Sequence, residues 1–206
     1  MNRVFGRTNE TVAAVWHESP DGVITAGDWT GLVVHHDELD RRGGERLREQ
    51  AAKLGRPFDF AYARGLSAGD LKVGWPLHRL QRFRDEKLLR YVVIEAADVL
   101  DAEWIAANAP VHGVAIEYSA SMMAPRYRVF DAAANAGVAL VGVASQAEEA
   151  ALHLATPQIV ATLLSAGEIA PSPLTEQAVE LLWQRYSADH AEPPKLRGMH
   201  PPDTGV

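Results

Sequence analysis

The chain has 206 residues, 47% of them hydrophobic, with a formal net charge of −7 and no cysteine. The acidity argues against a nucleic-acid or anionic-membrane binder, since both need a basic surface. The missing cysteine excludes disulfides, thiolate metal ligands and a cysteine nucleophile. The opening MNRVFGRTNETVAAVWHE lacks a leader-type apolar core, and no apolar run approaches the roughly 18 residues of a membrane span. A soluble, cytoplasmic globular protein is the expectation.

Thr11–Trp16 (TVAAVW) and Gly22–Ala26 (GVITA) read as short strands joined across the turn signal Ser19-Pro20-Asp21-Gly22, as in a hairpin. Gly31–His36 (GLVVHH) is a stronger strand, followed by a helical run Glu45–Leu54 that stops at Gly55 with Pro57 beyond. Phe58–Ala63 is the next strand. Ser67 offers an N-cap for a helical turn through Lys72, and Trp75-Pro76 interrupts before a helix Leu77–Leu89. Strand Tyr91–Ala96, helix Asp101–Asn108, strand Gly113–Tyr118, helix Pro125–Asn135 and strand Ala139–Ala144 follow in regular alternation. Pro125 suits the first turn of its helix and Gly137 the position just past the end. Glu148–Ala155 reads as a helix, Gln158–Leu164 as a strand and Thr175–Tyr186 as a closing amphipathic helix capped by Thr175. The tail from Ala191 holds four prolines and no periodicity.

Repeated strand–helix units of this cadence match parallel strands joined by helical crossovers, and short apolar strands match a sheet covered on both faces. The fold expected is α/β, a compact (β/α) TIM-type barrel over residues 1–190, with a proline-rich tail over 191–206. Six βα-type strands are too few for the usual eight. Either the N-terminal hairpin completes the barrel or the barrel is incomplete.

The block Lys87–Ser145 resembles the second half of the aldo/keto reductase family, and the likeness extends at most over residues 77–186. Leu89-Arg90-Tyr91-Val92-Val93-Ile94 is similar to the family's K-[VIL]-R-Y-[IV]-G-[IV]-S-N-F strand, and Val114-Ala115-Ile116-Glu117-Tyr118-Ser119 to its V-Q-V-E-Y-S/N strand. Ala133 to Val141 parallels the A-x-E-x-G-I-x-V stretch, and LHLATPQIVATLLSAG the final strand. The resemblance implies an aldo/keto-reductase-like barrel with a small-molecule pocket at its mouth and, for a retained ancestral function, NADP(H). The positions that hold the nicotinamide carboxamide in the family are here Glu95, Ala96 and Ala115, and Ser165–Ser172 carries no basic cluster for a 2′-phosphate. The family's Asp, Tyr, Lys and His set, in which a lysine lowers the tyrosine pKa, finds no match among Lys53, Lys72, Lys87 and Lys195, none of which ends a strand. These departures imply a degenerate site, with no nicotinamide cofactor as the simpler expectation. Gly31–Asp37 resembles the family strand that bears a catalytic histidine, which would be His35, although two strands rather than one then intervene before the Glu95 position.

In such barrels functional groups sit at the C-terminal ends of strands. Those ends supply His35, His36 and Asp37; Tyr62 and Arg64; Glu95 and Asp98; Glu117, Tyr118 and Ser119; Ser145 and Gln146. Alternation sets His35 and Asp37 on one face and His36 on the other. Glu95, Glu117 and His35 form the candidate acid–base set, with His36, Asp37, Tyr62, Arg64, Tyr118, Ser119, Ser145 and Gln146 around the pocket. Buried carboxylates need partners, and Arg64 or a histidine can supply one. For Glu117 a framework role satisfied by the backbone or Arg64 is the simpler reading, whereas Glu95, replacing a ligand-contacting residue, divides evenly between function and framework. His17-Glu18 follows an apolar run and can face the same mouth, with a plain strand end as the simpler reading. Metal-ligand spacings such as H-x-H or H-E-x-x-H do not occur. The alternatives to repurposed acid–base chemistry are a non-catalytic, partner-binding relative and an NADPH-dependent carbonyl oxidoreductase with a rearranged N-terminal half. A homodimer or a protein partner is compatible with the acidic surface and proline-rich tail.

Overall fold

The computed structural model describes residues 2–39, 41–119 and 121–164; the expected helix Thr175–Tyr186 and the proline-rich tail lie outside the described residues. Ten strands and six α-helices are described. The strands are β1 Asn2–Val4, β2 Thr11–Ala13, β3 Val15–Glu18, β4 Val23–Ala26, β5 Trp29–His35, β6 Phe58–Arg64, β7 Leu89–Glu95, β8 Gly113–Glu117, β9 Ala139–Ala144 and β10 Ile159–Leu164. The helices are α1 Arg41–Leu54, α2 Ala68–Val73, α3 Trp75–Asp85, α4 Val99–Asn108, α5 Ala124–Ala136 and α6 Ala147–Ala155.

Strands β3 to β10 close into one barrel, in the order β10-β3-β4-β5-β6-β7-β8-β9. The barrel is complete, and the N-terminal hairpin is what completes it. β3 pairs parallel with β10, β4 runs antiparallel between β3 and β5, and β5 to β10 are successively parallel. One reversed strand thus stands where the helical crossover units stop. It needs only tight turns. Ser19 closes the β3–β4 turn, its amide donating to the Val23 carbonyl at 2.9 Å and its Oγ accepting from the Val23 amide at 3.1 Å. Gly27, at φ 68°, opens the two-residue β4–β5 loop, the left-handed conformation that such loops require at their first position.

Two layers of apolar side chains follow from strand alternation. Residues such as Val34, Ala61, Ala63, Val92, Ile94, Val114 and Leu140 face outward and pack with Phe83, Ile105, Val129 and Phe130 of the helices. The other set, including Trp16, Ile24, Val33, Phe60, Tyr62, Val93, Ala115, Val141 and Leu163, fills the barrel interior. Phe60 stacks on Trp16 at 4.5 Å, and a Cβ on Gly31 would stand 2.2 Å from the Phe60 ring, so glycine is what admits that ring between the strands. The β1–β2 hairpin seals the floor: Phe5 is fully buried against Trp29 (5.3 Å) and Tyr91 (5.8 Å).

Several boundaries differ from the expected ones. Thr11–Trp16 is split at Ala14 into a floor strand and a barrel strand, because the chain turns there from pairing with β1 to pairing with β10. Trp75-Pro76 begins a helix instead of interrupting one. Proline fits a first helical turn, where its missing N–H has no intrahelical partner to lose. That helix ends at Asp85, so Leu89 is already strand. The Ser67 cap is realised as a reciprocal capping box with Asp70.

Candidate active site at the barrel mouth

Four inward positions at the C-terminal ends of β3, β6 and β7 converge. In β6 the alternation that turns Phe60 and Tyr62 into the barrel brings Arg64 to the rim. Ala63 pairs with Ile94, which sets Arg64 level with Glu95. The Tyr62 hydroxyl donates to Glu95 Oε2 at 2.6 Å, and Arg64 Nε donates to the same oxygen at 2.9 Å. Arg64 Nη1 and Nη2 then grip both oxygens of Glu18, at 3.1 and 3.0 Å. This fork is the bidentate geometry that a guanidinium makes best. Arg64 also lies over the Tyr62 ring, 5.3 Å from its centroid.

Charge and burial decide how these groups ionise. Tyr62 is completely buried, and burial together with the neighbouring Glu95 carboxylate raises its phenol pKa well above the ordinary value. It is therefore a neutral hydrogen-bond donor. Burial alone would lower the Arg64 pKa, but the bonds from Glu18 and Glu95 outweigh it and the guanidinium stays charged. Two carboxylates face one cation, so the cluster carries net negative charge. Among the described residues no hydrogen bond reaches Glu95 Oε1. The Glu95 side chain is 28% exposed, against 13% for Glu18, so Glu95 is the member open to a ligand.

The remaining expected site residues are distributed differently. His35 ends β5 in register with Arg64, but its side chain is exposed, and its amide donates to Glu38. The strand stops there and a 3-10 turn takes His36 and Asp37, so strand alternation does not extend to them; His36 stands edge-on to Trp75 and 3.9 Å from Asp70. Glu117 is exposed at the end of β8, not buried, and Arg64, one of the partners expected for it, binds Glu18 and Glu95. It borders a small cavity of about 120 Å³ with Ala96, Asp98, Val99 and Met122. Tyr118 is buried outside the barrel wall against Phe130, and its carbonyl accepts from His153 of α6, so it does not line the mouth. Ser119 pairs with Ser121, Ser145 caps onto Glu149, and Gln146 precedes α6 without a side-chain cap bond. Asp98 caps α4 by accepting from the Asp101 amide.

Glu18 is the residue that sequence reasoning undervalued. Its signal was present: two residues after Trp16 on the same strand face, a side chain must point where the tryptophan points. Lys53 lies in α1, Lys72 sits over the Trp104 ring at 4.9 Å and Lys87 follows α3, so none of the described lysines is positioned beside Tyr62. Among the described residues no group of three or more His, Asp or Glu is placed to hold a metal ion, and no helix is long and apolar enough to cross a membrane.

No protein-family model and no curated protein matches this sequence. Solved structures do match its fold. An aldo-keto reductase from Bacillus halodurans in its holo form aligns over 75% of this chain and 81% of its own, with a TM-score of 0.53 and 12% identity. A Pseudomonas aeruginosa protein assigned to the aldo-keto reductases aligns over 88% of this chain in two structures, covering 96% and 95% of its own length at TM-scores of 0.60 and 0.61, again at 12% identity. The architecture of this chain is that of an aldo-keto-reductase-like barrel.

Proposed function

We propose that this chain binds a small molecule at its barrel mouth and acts on it by proton transfer centred on Glu95, in place of hydride transfer from a nicotinamide. The observation that carries this reading is the continuous Tyr62–Glu95–Arg64–Glu18 set of hydrogen bonds. It fixes one oxygen of Glu95 and leaves the other without a protein donor among the described residues. A carboxylate oriented in this way can accept a proton from a bound ligand, since a general base must lie within hydrogen-bond reach of the proton it takes. Tyr62 orients Glu95 and keeps its own proton. It is not the activated phenol that the resemblance would require. His35 and Glu117 are the rim groups available for a second proton transfer.

The same charges bear on the ligand. One arginine facing two carboxylates repels phosphates, and alanines at 96 and 115 offer no side-chain hydrogen bonds to a carboxamide. A neutral polar or cationic molecule with an acidic proton fits better than a dinucleotide.

Cofactor fluorescence tests this directly. Titration with NADPH is expected to show no saturation at micromolar concentrations. A panel of amines, polyols and hydroxyketones screened by thermal shift should yield ligands whose stabilising effect is lost in Glu95→Gln. Micromolar NADPH binding with carbonyl reduction would overturn the reading in favour of a nicotinamide-dependent oxidoreductase. Ligands that bind Glu95→Gln as well as the parent chain would point to a non-catalytic, partner-binding relative.

A further inference from the structure

The opposite end of the barrel carries a second, chemically different opening. A cleft of about 610 Å³ lies where the 3-10 turn Gly6–Thr8 meets the C-terminal ends of α3, α4 and α5 and the entrances of β7, β8 and β9. That volume is within the range of small-molecule sites. In a chain of net charge −7, its described lining contains Arg7, Arg84 and His112 and no Asp or Glu. The rest of its lining is mixed: Thr8, Asn108 and Tyr91 add polar groups, and Ala106, Pro110 and Val138 supply an apolar side.

The polar groups there are only partly used. Arg84 donates from Nε to the Arg90 carbonyl and from Nη1 to Gln81, and no described bond takes its Nη2. Arg7 is exposed and has no hydrogen bond or ion pair among the described residues. His112 accepts the Val92 amide at Nδ1 (3.3 Å), which places the ring proton on Nε2. Its ring leans on Tyr91 at 5.1 Å. The carboxylate of Glu10 is occupied with Arg90 and the Tyr91 hydroxyl. Helix C-termini carry partial negative charge that attracts cations, which accounts in part for Arg84 in the last turn of α3 and for Arg7 against Gly137 at the end of α5. The carbonyls there are already met by backbone amides: Ala109 bonds Ile105, and Gly137 and Val138 bond Ala134 and Ala133. Two full positive charges exceed what three fractional dipole ends, about half a charge each, balance.

We propose that this floor cleft is a binding site for a small organic anion, a carboxylate or phosphate monoester with an apolar body. The guanidinium groups of Arg7 and Arg84 hold the head, the His112 Nε2–H adds a donor, and the alanine, proline and valine wall receives the body. The site is independent of the mouth chemistry, because the two openings lie at opposite ends of the strands.

Phenyl phosphate, benzoate and uncharged benzyl alcohol serve as probes, followed by isothermal titration and by the imidazole resonances of His112. Saturable binding of at least one anion at millimolar concentration, with a shift of the His112 signals, is expected. Arg7→Gln should weaken it by about tenfold, as for loss of one charge-assisted bond. Glu95→Gln should leave it unchanged. Arg84→Lys, which keeps the charge but loses the fork, is the second variant in case Arg84→Gln fails to fold, and it too should weaken binding. The preference between the two anions identifies the head group. Equal affinity for benzyl alcohol, no binding of either anion, or anion binding indifferent to Arg7 and Arg84 would each overturn the proposal.

Discussion

At the floor of the barrel, Phe5 sits among Trp16, Trp29 and Tyr91 and the interior is filled by aromatic contact, with the Arg90–Glu10 pair at its edge beside the Tyr91 hydroxyl. At the mouth, the same inward face of the same strands ends in Glu18, Arg64 and Glu95, joined by charge-assisted bonds. The strand pattern is continuous from one end to the other, so geometry alone does not explain the change. Burying a large apolar side chain contributes about 1.5–3 kcal/mol. A partly buried ion cluster contributes far less, because the charges must be desolvated to form it. A sequence selected for stability alone would carry the aromatic solution to both ends. The polar mouth departs from that solution, as the site proposed there would require.

Phe5→Ala should produce the largest effect. It empties a fully buried site and is expected to cost about 3–5 kcal/mol, as for other buried aromatic truncations, seen as a lower urea midpoint. A small change would mean that the hairpin is a loose cover, and the contrast between the two ends would dissolve. Arg64→Met comes next, at about 1–3 kcal/mol, because it leaves Glu18 and Glu95 facing each other without a cation; solvent access to all three groups keeps the figure below that of a fully buried pair. Its loss should be largely recovered when Glu18 and Glu95 are both replaced by glutamine in the same chain, and an unrecovered loss would contradict the account.

Tyr62→Phe is expected to cost about 1 kcal/mol for the hydrogen bond to Glu95. The parent protein should also show an alkaline limb. The folded state holds the phenol proton above the pH at which an unfolded tyrosine releases it, so the contribution is complete below about pH 10 and is lost as pH rises beyond it. Tyr62→Phe should flatten that limb, and an unchanged limb would assign it to other groups. The smallest effect is expected for Glu117→Gln, an exposed rim position, with no measurable shift in midpoint but reduced turnover if the rim supplies the second proton transfer.

The part of the fold most legible in the sequence was the run of parallel units, because strands buried on both faces are written as unbroken apolar words such as VVI and ALVGVA, each followed by a helix with readable caps. Ser67 with Asp70 and Pro125 with Gly137 are local signals, and local structure obeyed them. The closure of the barrel was less legible. Whether Val15–Glu18 pairs with the last strand depends on a contact across most of the chain, between Val15 and Thr162, and no local pattern encodes it. The same long-range pairing hid Glu18, which looks like a strand end until the barrel closes and brings it to Arg64. Glu95, Tyr62 and Arg64 were visible as strand-end polar groups. His35 and Glu117 were visible too, but alternation fixes only the side of the sheet a residue takes, and not whether its side chain finds a partner there.

The reversed strand β4 has an effect on where this protein can change. Every parallel strand delivers its exit to the mouth, but β4 delivers its entry, so the short Ser19–Gly22 turn shares the rim with Glu18 and Arg64. Arg46 of α1 ties this turn down through the Asp21 carbonyl and Glu38. Residues added there would overhang the opening as a lid without lengthening any helix, while the Gly27-Asp28 turn, one strand later, would carry the same insertion to the floor. Changes at the mouth and at the floor can therefore be made independently, through two turns separated by a single four-residue strand.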